Sequence, residues 1–154
     1  MVVRLSSLMA AELFTIGYEG LDLTSFLRCL RSEGIECVID VRATPFSRKK
    51  GFSKHLLAAT LEKEGIHYVH LEELGSPRQI RTKLKANHDY DTFFGKMQDY
   101  LAERTDAIET AYSHVTGMKC CLMCFERLAD MCHRKIVAQK IKERDGNGLQ
   151  ITHI

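Results

Sequence analysis

The segment Cys121 to Arg134, CLMCFERLADMCHR, begins apolar and then places Glu126, Arg127, Asp130, Cys132, His133 and Arg134 close together. Each residue type brings its own chemistry. A carboxyl group where a strand leaves a sheet can serve as a general acid or base. A thiol at the start of a helix loses its proton more readily than a free one. A guanidinium offers forked donors that match phosphate or carboxylate. A second cluster, DVRATPFSR at positions 40–48, supplies Asp40, Arg42, Ser47 and Arg48, and a third, GYEG at 17–20, supplies Tyr18 and Glu19. Glu126, Cys132 and His133 are therefore the candidate catalytic residues. Tyr18, Asp40, Arg42, Ser47, Arg48 and Arg134 are the candidate substrate-binding residues.

Metal chemistry is weighed on the same residues. Cys121 and Cys124 give a C-x2-C spacing, but on a strand residues three apart point to opposite faces, so the pair cannot close on one ion. Cys124 and Glu126 share a face, and a site joining them to Cys132 or His133 would hold an ion with an open position. No metal and no cofactor is assigned from the sequence. The C-x5-R spacing of Cys121 and Arg127 is that of cysteine phosphatases, but LMCFE has no glycine and carries a carboxylate, so it is set aside as coincidence.

The elements that must position these residues can be read from hydrophobic periodicity. Short apolar runs at 13–17, 36–41, 67–71, 119–125 and 149–154 alternate with helix-length amphipathic segments, the pattern of a parallel sheet covered on both faces. Ser53 is placed to cap a helix with a Leu56, Leu57 and Leu61 stripe, and Asp130 to cap the last helix, with Cys132 and His133 in its first turn. Residues 72–87, with Arg78, Arg81, Lys83 and Lys85 and little periodicity, read as a long surface loop, of interest only where it overlies the site. The expected fold is three-layer α/β, with about five mostly parallel strands and helices on both faces. Residues 1–11 are expected to be a frayed extension and 12–154 a single α/β domain.

Such sheets bind ligands beyond the carboxyl ends of their strands. All three polar clusters fall there, so they are expected to share one pocket. Composition narrows the partners. Twenty-two Lys and Arg against twenty Asp and Glu leave a formal charge of +2, which excludes a global basic field and makes any anion binding local. Six cysteines without a secretion signal point to a reducing cytoplasm, with most of the thiols free and buried. No segment suggests a membrane, and nothing sets an oligomeric state.

The runs FTIGYEG, VIDVRATPFSR, GFSK, GIHYVHLEELG, LMCFERLADMCHR and ITHI follow one another in the order seen in the family known as domain of unknown function 488, which the chain resembles from Phe14 onward. The resemblance implies an α/β fold. It places Asp40, Arg42, Pro45, Ser47, Arg48, Cys124, Glu126, Cys132, His133 and Arg134 on that family's motif positions, and it implies no reaction.

Three readings follow from the residues. The first is an enzyme, a hydrolase or group transferase, acting on an anionic small molecule or nucleic acid that carries phosphate. The second is a binding module for nucleotide or nucleic acid without chemistry, with Tyr18 as a stacking surface. In the third the Cys-His-Arg motif is a structural latch in which Glu126 pairs with an arginine and the thiols are inert. The plain readings of single residues stand beside these: Arg42 and Asp40 as a buried ion pair, and Cys132 as a small packing residue.

Overall fold

The computed structural model describes residues 11–146 and 148–154. The expected extension at 1–11 lies, apart from Ala11, outside the described residues. Five strands, β1 (Glu12–Gly17), β2 (Cys37–Asp40), β3 (His67–His70), β4 (Cys120–Cys124) and β5 (Gln150–His153), form one all-parallel sheet in the order β3-β2-β4-β1-β5. The three-layer α/β expectation is borne out. Every residue of β2 and β4 is buried, because the central strands are covered on both faces.

One face is covered by α1 (Leu23–Ser32) and α2 (Lys54–Lys63), the other by α4 (Tyr90–Ala102), α5 (Thr105–Gly117) and α6 (Arg134–Arg144), while α3 (Arg78–Asn87) lies beside α4. Helix α1 starts where the Asp22 carboxylate accepts the Ser25 N–H at 2.8 Å, and it turns Phe26, Leu27 and Leu30 to the sheet. Cys121 and Met123 lie on the α1 and α2 side of β4, whereas Cys120, Leu122 and Cys124 lie on the α6 side. Cys121 and Cys124 thus face opposite ways, as the strand period requires.

Four expectations are corrected. Residues 72–87 are not a loop: a 3-10 turn at Glu72–Leu74 leads through Pro77 into α3. The helix forms because Ile80 and Leu84, four apart, pack against the core, a stripe too sparse to stand out among the basic residues. Leu56 is 63% exposed, so the buried stripe of α2 is Leu57 and Leu61 alone. Ser53 does precede α2, but its hydroxyl bonds the backbone of Ser47 rather than the helix.

The fourth correction concerns the last helix. Asp130 sits in a 3-10 turn at Ala129–Met131, exposed and paired with Lys135 at 3.0 Å, and α6 begins only at Arg134, after His133. Cys132 is extended, with φ −138° and ψ 141°. Local capping propensity loses here to tertiary contacts that draw the Cys132 sulfur and the His133 ring inward.

Candidate functional site

The residues that follow β4 are held against the end of β1 by one position that only glycine can fill. A Cβ on Gly17 would sit 1.7 Å from the carbonyl oxygen of Glu126. The two chains continue as a pair beyond the sheet, with Tyr18 N–H donating to the Cys124 carbonyl and Glu19 N–H to that of Phe125. The Glu19 carboxylate accepts the Arg127 N–H at 3.1 Å. GYEG is therefore the clamp that fixes where Glu126 stands.

Arg134, at the first position of α6, is fully buried. Its Nε donates to the Thr15 hydroxyl at 3.0 Å and its Nη2 to the Arg127 carbonyl at 3.1 Å. Its Nη1 reaches both the Glu126 carbonyl and the Cys124 sulfur, the latter at 3.4 Å. None of these partners is a carboxylate. The side chain ties β1, the end of β4 and the loop that follows to the start of α6.

Around it lie two sulfurs and an imidazole. Cys124 and Cys132 are joined as a disulfide on Cα atoms 7.7 Å apart, beyond the usual range of about 4.4–6.8 Å. The Arg134 backbone N–H, which has no acceptor within the helix, points at the Cys132 sulfur at 3.4 Å. His133 is buried and its Nε2 lies 2.7 Å from the carbonyl oxygen of Val41, so Nε2 carries the proton and Nδ1 is bare, 3.8 Å from the Cys132 sulfur. Burial holds the ring well below its ordinary value, at about 4, with the charges of Arg134 and Arg81 adding to the effect and the Val41 carbonyl opposing it. The imidazole is neutral at pH 7.

Glu126 is half-buried, with Oε2 3.4 Å from the Cys124 sulfur. Burial raises its carboxyl above the ordinary range, and Arg134 and Arg81 offset part of that rise. Arg81 lies on α3, in the segment that reads as a surface loop, and no signal there separates it from Arg78 or Lys83. Only the packing of α3 beside α4 brings its charge to bear on Glu126 and His133. Among the described residues its guanidinium has no hydrogen-bond or ion-pair partner.

The DVRATPFSR cluster lies at the same carboxyl edge but on the α1 and α2 side. Arg42 holds Asp40 through two contacts, Nε to Oδ1 at 2.9 Å and Nη2 to Oδ2 at 2.7 Å, and its Nη1 donates to the Tyr18 hydroxyl and the Phe52 carbonyl. Burial alone would lower the guanidinium's proton affinity, but bonding to Asp40 outweighs it and holds the pKa above its ordinary value. Tyr68 donates to the same carboxylate at 2.5 Å. Tyr18 is 2% exposed, stacked on Phe52 with ring centroids 4.5 Å apart. Ser47 accepts from the Lys49 N–H, and Arg48 is exposed.

The edge thus carries two clusters rather than one open pocket. Cys124, Glu126, Cys132, His133 and Arg134 come together on the α6 side; Tyr18, Asp40 and Arg42 form a closed network on the other, with Ser47 and Arg48 in the loop above it. The clusters touch where His133 bonds Val41, next to Arg42. Among the described residues, every buried side-chain nitrogen and oxygen has a partner. A cavity of about 660 Å³ beside Ala43, Glu72, Glu73, Tyr100 and Arg104 is lined by none of the expected site residues.

Apolar side chains ring the same edge: Phe46 in the loop after β2, and Phe125, Leu128 and Met131 in the loop after β4, are all exposed. The remaining cysteines are free, with Cys37, Cys120 and Cys121 buried and Cys29 half-buried. Burial pushes the Cys121 thiol up, which removes it as a nucleophile and leaves its spacing to Arg127 without chemical meaning. No helix among the described residues is long and apolar enough to cross a membrane.

No curated protein and no solved structure matches the chain. A family model does match, over residues 22–141, a span that takes in Asp40, Arg42, Ser47 and Arg48 and the segment from Cys124 to Arg134, but not Tyr18 or the FTIGYEG and ITHI runs. By that match the chain belongs to the family described as Domain of unknown function DUF488.

Proposed function

We propose that the α6 side of the carboxyl edge is an enzyme active site, a hydrolase or group transferase acting on a phosphate-bearing substrate, with Glu126 as the group that moves the proton. One observation carries this reading. Glu126 is a half-buried carboxyl with raised proton affinity and no ion-pair partner among the described residues, and it feels the charge of the uncommitted Arg81. A carboxyl shifted in that direction holds its proton more readily than a free one, which suits a group that takes part in proton transfer. Arg81 replaces Arg42 and Arg134 as the anion-holding residue in this scheme, because those two guanidiniums already spend their donors on protein acceptors.

The exposed rings of Phe46 and Phe125 favour a second reading, a binding module on which nucleotide bases stack while Arg48, Arg81 and Arg127 meet phosphates. One experiment separates the two. The full chain is assayed against aryl phosphate mono- and diesters and a set of nucleotides, beside Glu126→Gln and Arg81→Ala. The enzyme reading expects Glu126→Gln to lower kcat by about 10²-fold or more with KM little changed, and Arg81→Ala to raise KM. Turnover equal to the parent in Glu126→Gln contradicts it. Tight, salt-sensitive nucleotide binding without turnover supports the second reading instead.

A further inference from the structure

Arg134 presents an unusual electrostatic situation. Burying a cation away from water is costly unless an anion meets it, and the Arg134 guanidinium meets a hydroxyl, two carbonyls and one sulfur. The one partner able to carry negative charge is Cys124. A second N–H of the same residue, from its backbone, is aimed at the other sulfur, Cys132. Both sulfurs thus receive the hydrogen bonds that stabilise thiolates.

The third donor is equally prepared. With its Nε2–H committed to the Val41 carbonyl at 2.7 Å, His133 turns a bare Nδ1 toward the sulfurs. Fixing one ring nitrogen on a backbone carbonyl so that the other can bind is the usual support of a metal-ligating histidine. The ligand atoms of Cys124, Cys132 and His133 all lie within 4.8 Å of one another. The Glu126 Oε2 stands 3.4 Å from the Cys124 sulfur, within reach of a fourth position.

The backbone spacing points the same way. Cα atoms 7.7 Å apart exceed what a relaxed disulfide spans. Two sulfurs each about 2.3 Å from one tetrahedral ion need sit no closer than roughly 3.7 Å, which such a separation allows.

From this geometry we infer that the reduced chain binds a soft divalent cation of the zinc type through Cys124, Cys132 and the Nδ1 of His133, with the fourth position left to Glu126 or water. The donor set, two sulfurs and one imidazole nitrogen, selects zinc over magnesium or calcium, which prefer oxygen. Binding releases the two thiol protons to solvent and leaves two thiolates, whose charge the ion and Arg134 share. The disulfide and the metal-bound form exclude each other, because a disulfide has no thiolate to offer. This inference does not rest on the proposed enzymatic reading, since metal content is read without turnover.

The test uses the full chain, without a polyhistidine tag, purified under reducing conditions. Elemental analysis is expected to give about one zinc per chain. After removal of the zinc by a chelator, added Co²⁺ is expected to give tetrahedral d–d bands and a thiolate-to-cobalt charge-transfer band. Cys124→Ser, Cys132→Ser and His133→Gln are each expected to lower metal affinity by about tenfold or more, while Cys37→Ser keeps the metal. Should a ligand variant fail to fold, alkylation mapping of the native chain decides instead: metal is expected to protect Cys124 and Cys132 selectively. A reduced chain that takes up neither zinc nor Co²⁺ overturns the inference. So does metal that stays bound in both cysteine variants. If one zinc is bound and no phosphoester turns over, only the enzymatic reading fails.

Discussion

Arg134 and Cys124 meet at 3.4 Å, guanidinium Nη1 to sulfur, in a region where neither is exposed to solvent. Through this one side chain the start of α6 is bound to β1 at Thr15 and to the loop after β4 at Glu126 and Arg127. Arg134→Met would keep much of the volume and leave two carbonyls without donors. We expect it to cost about 3 kcal/mol or more in urea unfolding, since hydrogen bonds to charged groups are worth about 1.5–3 kcal/mol each. Arg134→Lys cannot fork and is expected to recover only part of that loss. A change below about 0.5 kcal/mol in the Met variant would show that the network is dispensable.

Arg42 holds Asp40 from within the opposite cluster, both side chains buried. Removing one partner of such a pair leaves the other uncompensated, so Arg42→Ala is expected to destabilise the chain by about 3–5 kcal/mol. The double variant Arg42→Met with Asp40→Asn is expected to lose less than Arg42→Ala alone. Equilibrium unfolding of the three chains checks this, and a neutral Arg42→Ala would remove Arg42 from the support of the edge.

Gly17 and Gly20 separate two uses of glycine. At Gly17 an added Cβ meets the Glu126 backbone, while Gly20 has φ +81° and open space around it. Gly17→Ala is expected to cost at least about 2 kcal/mol and to displace Glu126, lowering any activity with it. Gly20→Ala is expected to cost about 1–2 kcal/mol from the left-handed backbone alone, with the site intact. Equal effects of the two on activity would contradict the clamp.

Phe46, 67% exposed, makes no ring contact among the described residues, whereas Phe125 packs edge-on against Tyr18. If the edge receives nucleotide bases, Phe46→Ala should leave stability within about 0.5 kcal/mol and weaken single-stranded DNA binding by about 1–3 kcal/mol. Unchanged affinity, measured by fluorescence anisotropy, would remove Phe46 from the binding surface.

The strands were the most legible part of the chain. Unbroken apolar runs such as Cys37 to Ile39 and Cys120 to Cys124 can be satisfied only by burial on two faces, and that dictates a parallel sheet. Helix α3 is hard to see in the sequence because its apolar stripe is just Ile80 and Leu84, both half-buried and spaced among lysines and arginines. The expected start of α6 is three residues too early because Asp130 has the chemistry of a cap while the contacts of Cys132 and His133 lie far away in sequence. Cys124, Glu126, Cys132, His133 and Arg134 could be grouped from one motif. Their separation from Asp40 and Arg42 could not, since it depends on the register that pairs Asp40 with Met123, on the other face from Cys124. Arg81 reaches the site only through the packing of α3.

The most direct test of this account follows the backbone amides of the ¹⁵N-labelled full chain by NMR as inorganic phosphate, and then a nucleoside monophosphate, is added. A ligand site on the α6 side of the carboxyl edge predicts shifts concentrated at Arg81, Glu126, Arg127 and Cys132 to Arg134, reduced in Arg81→Ala. Shifts confined to residues away from that edge, or none at millimolar ligand, would contradict it.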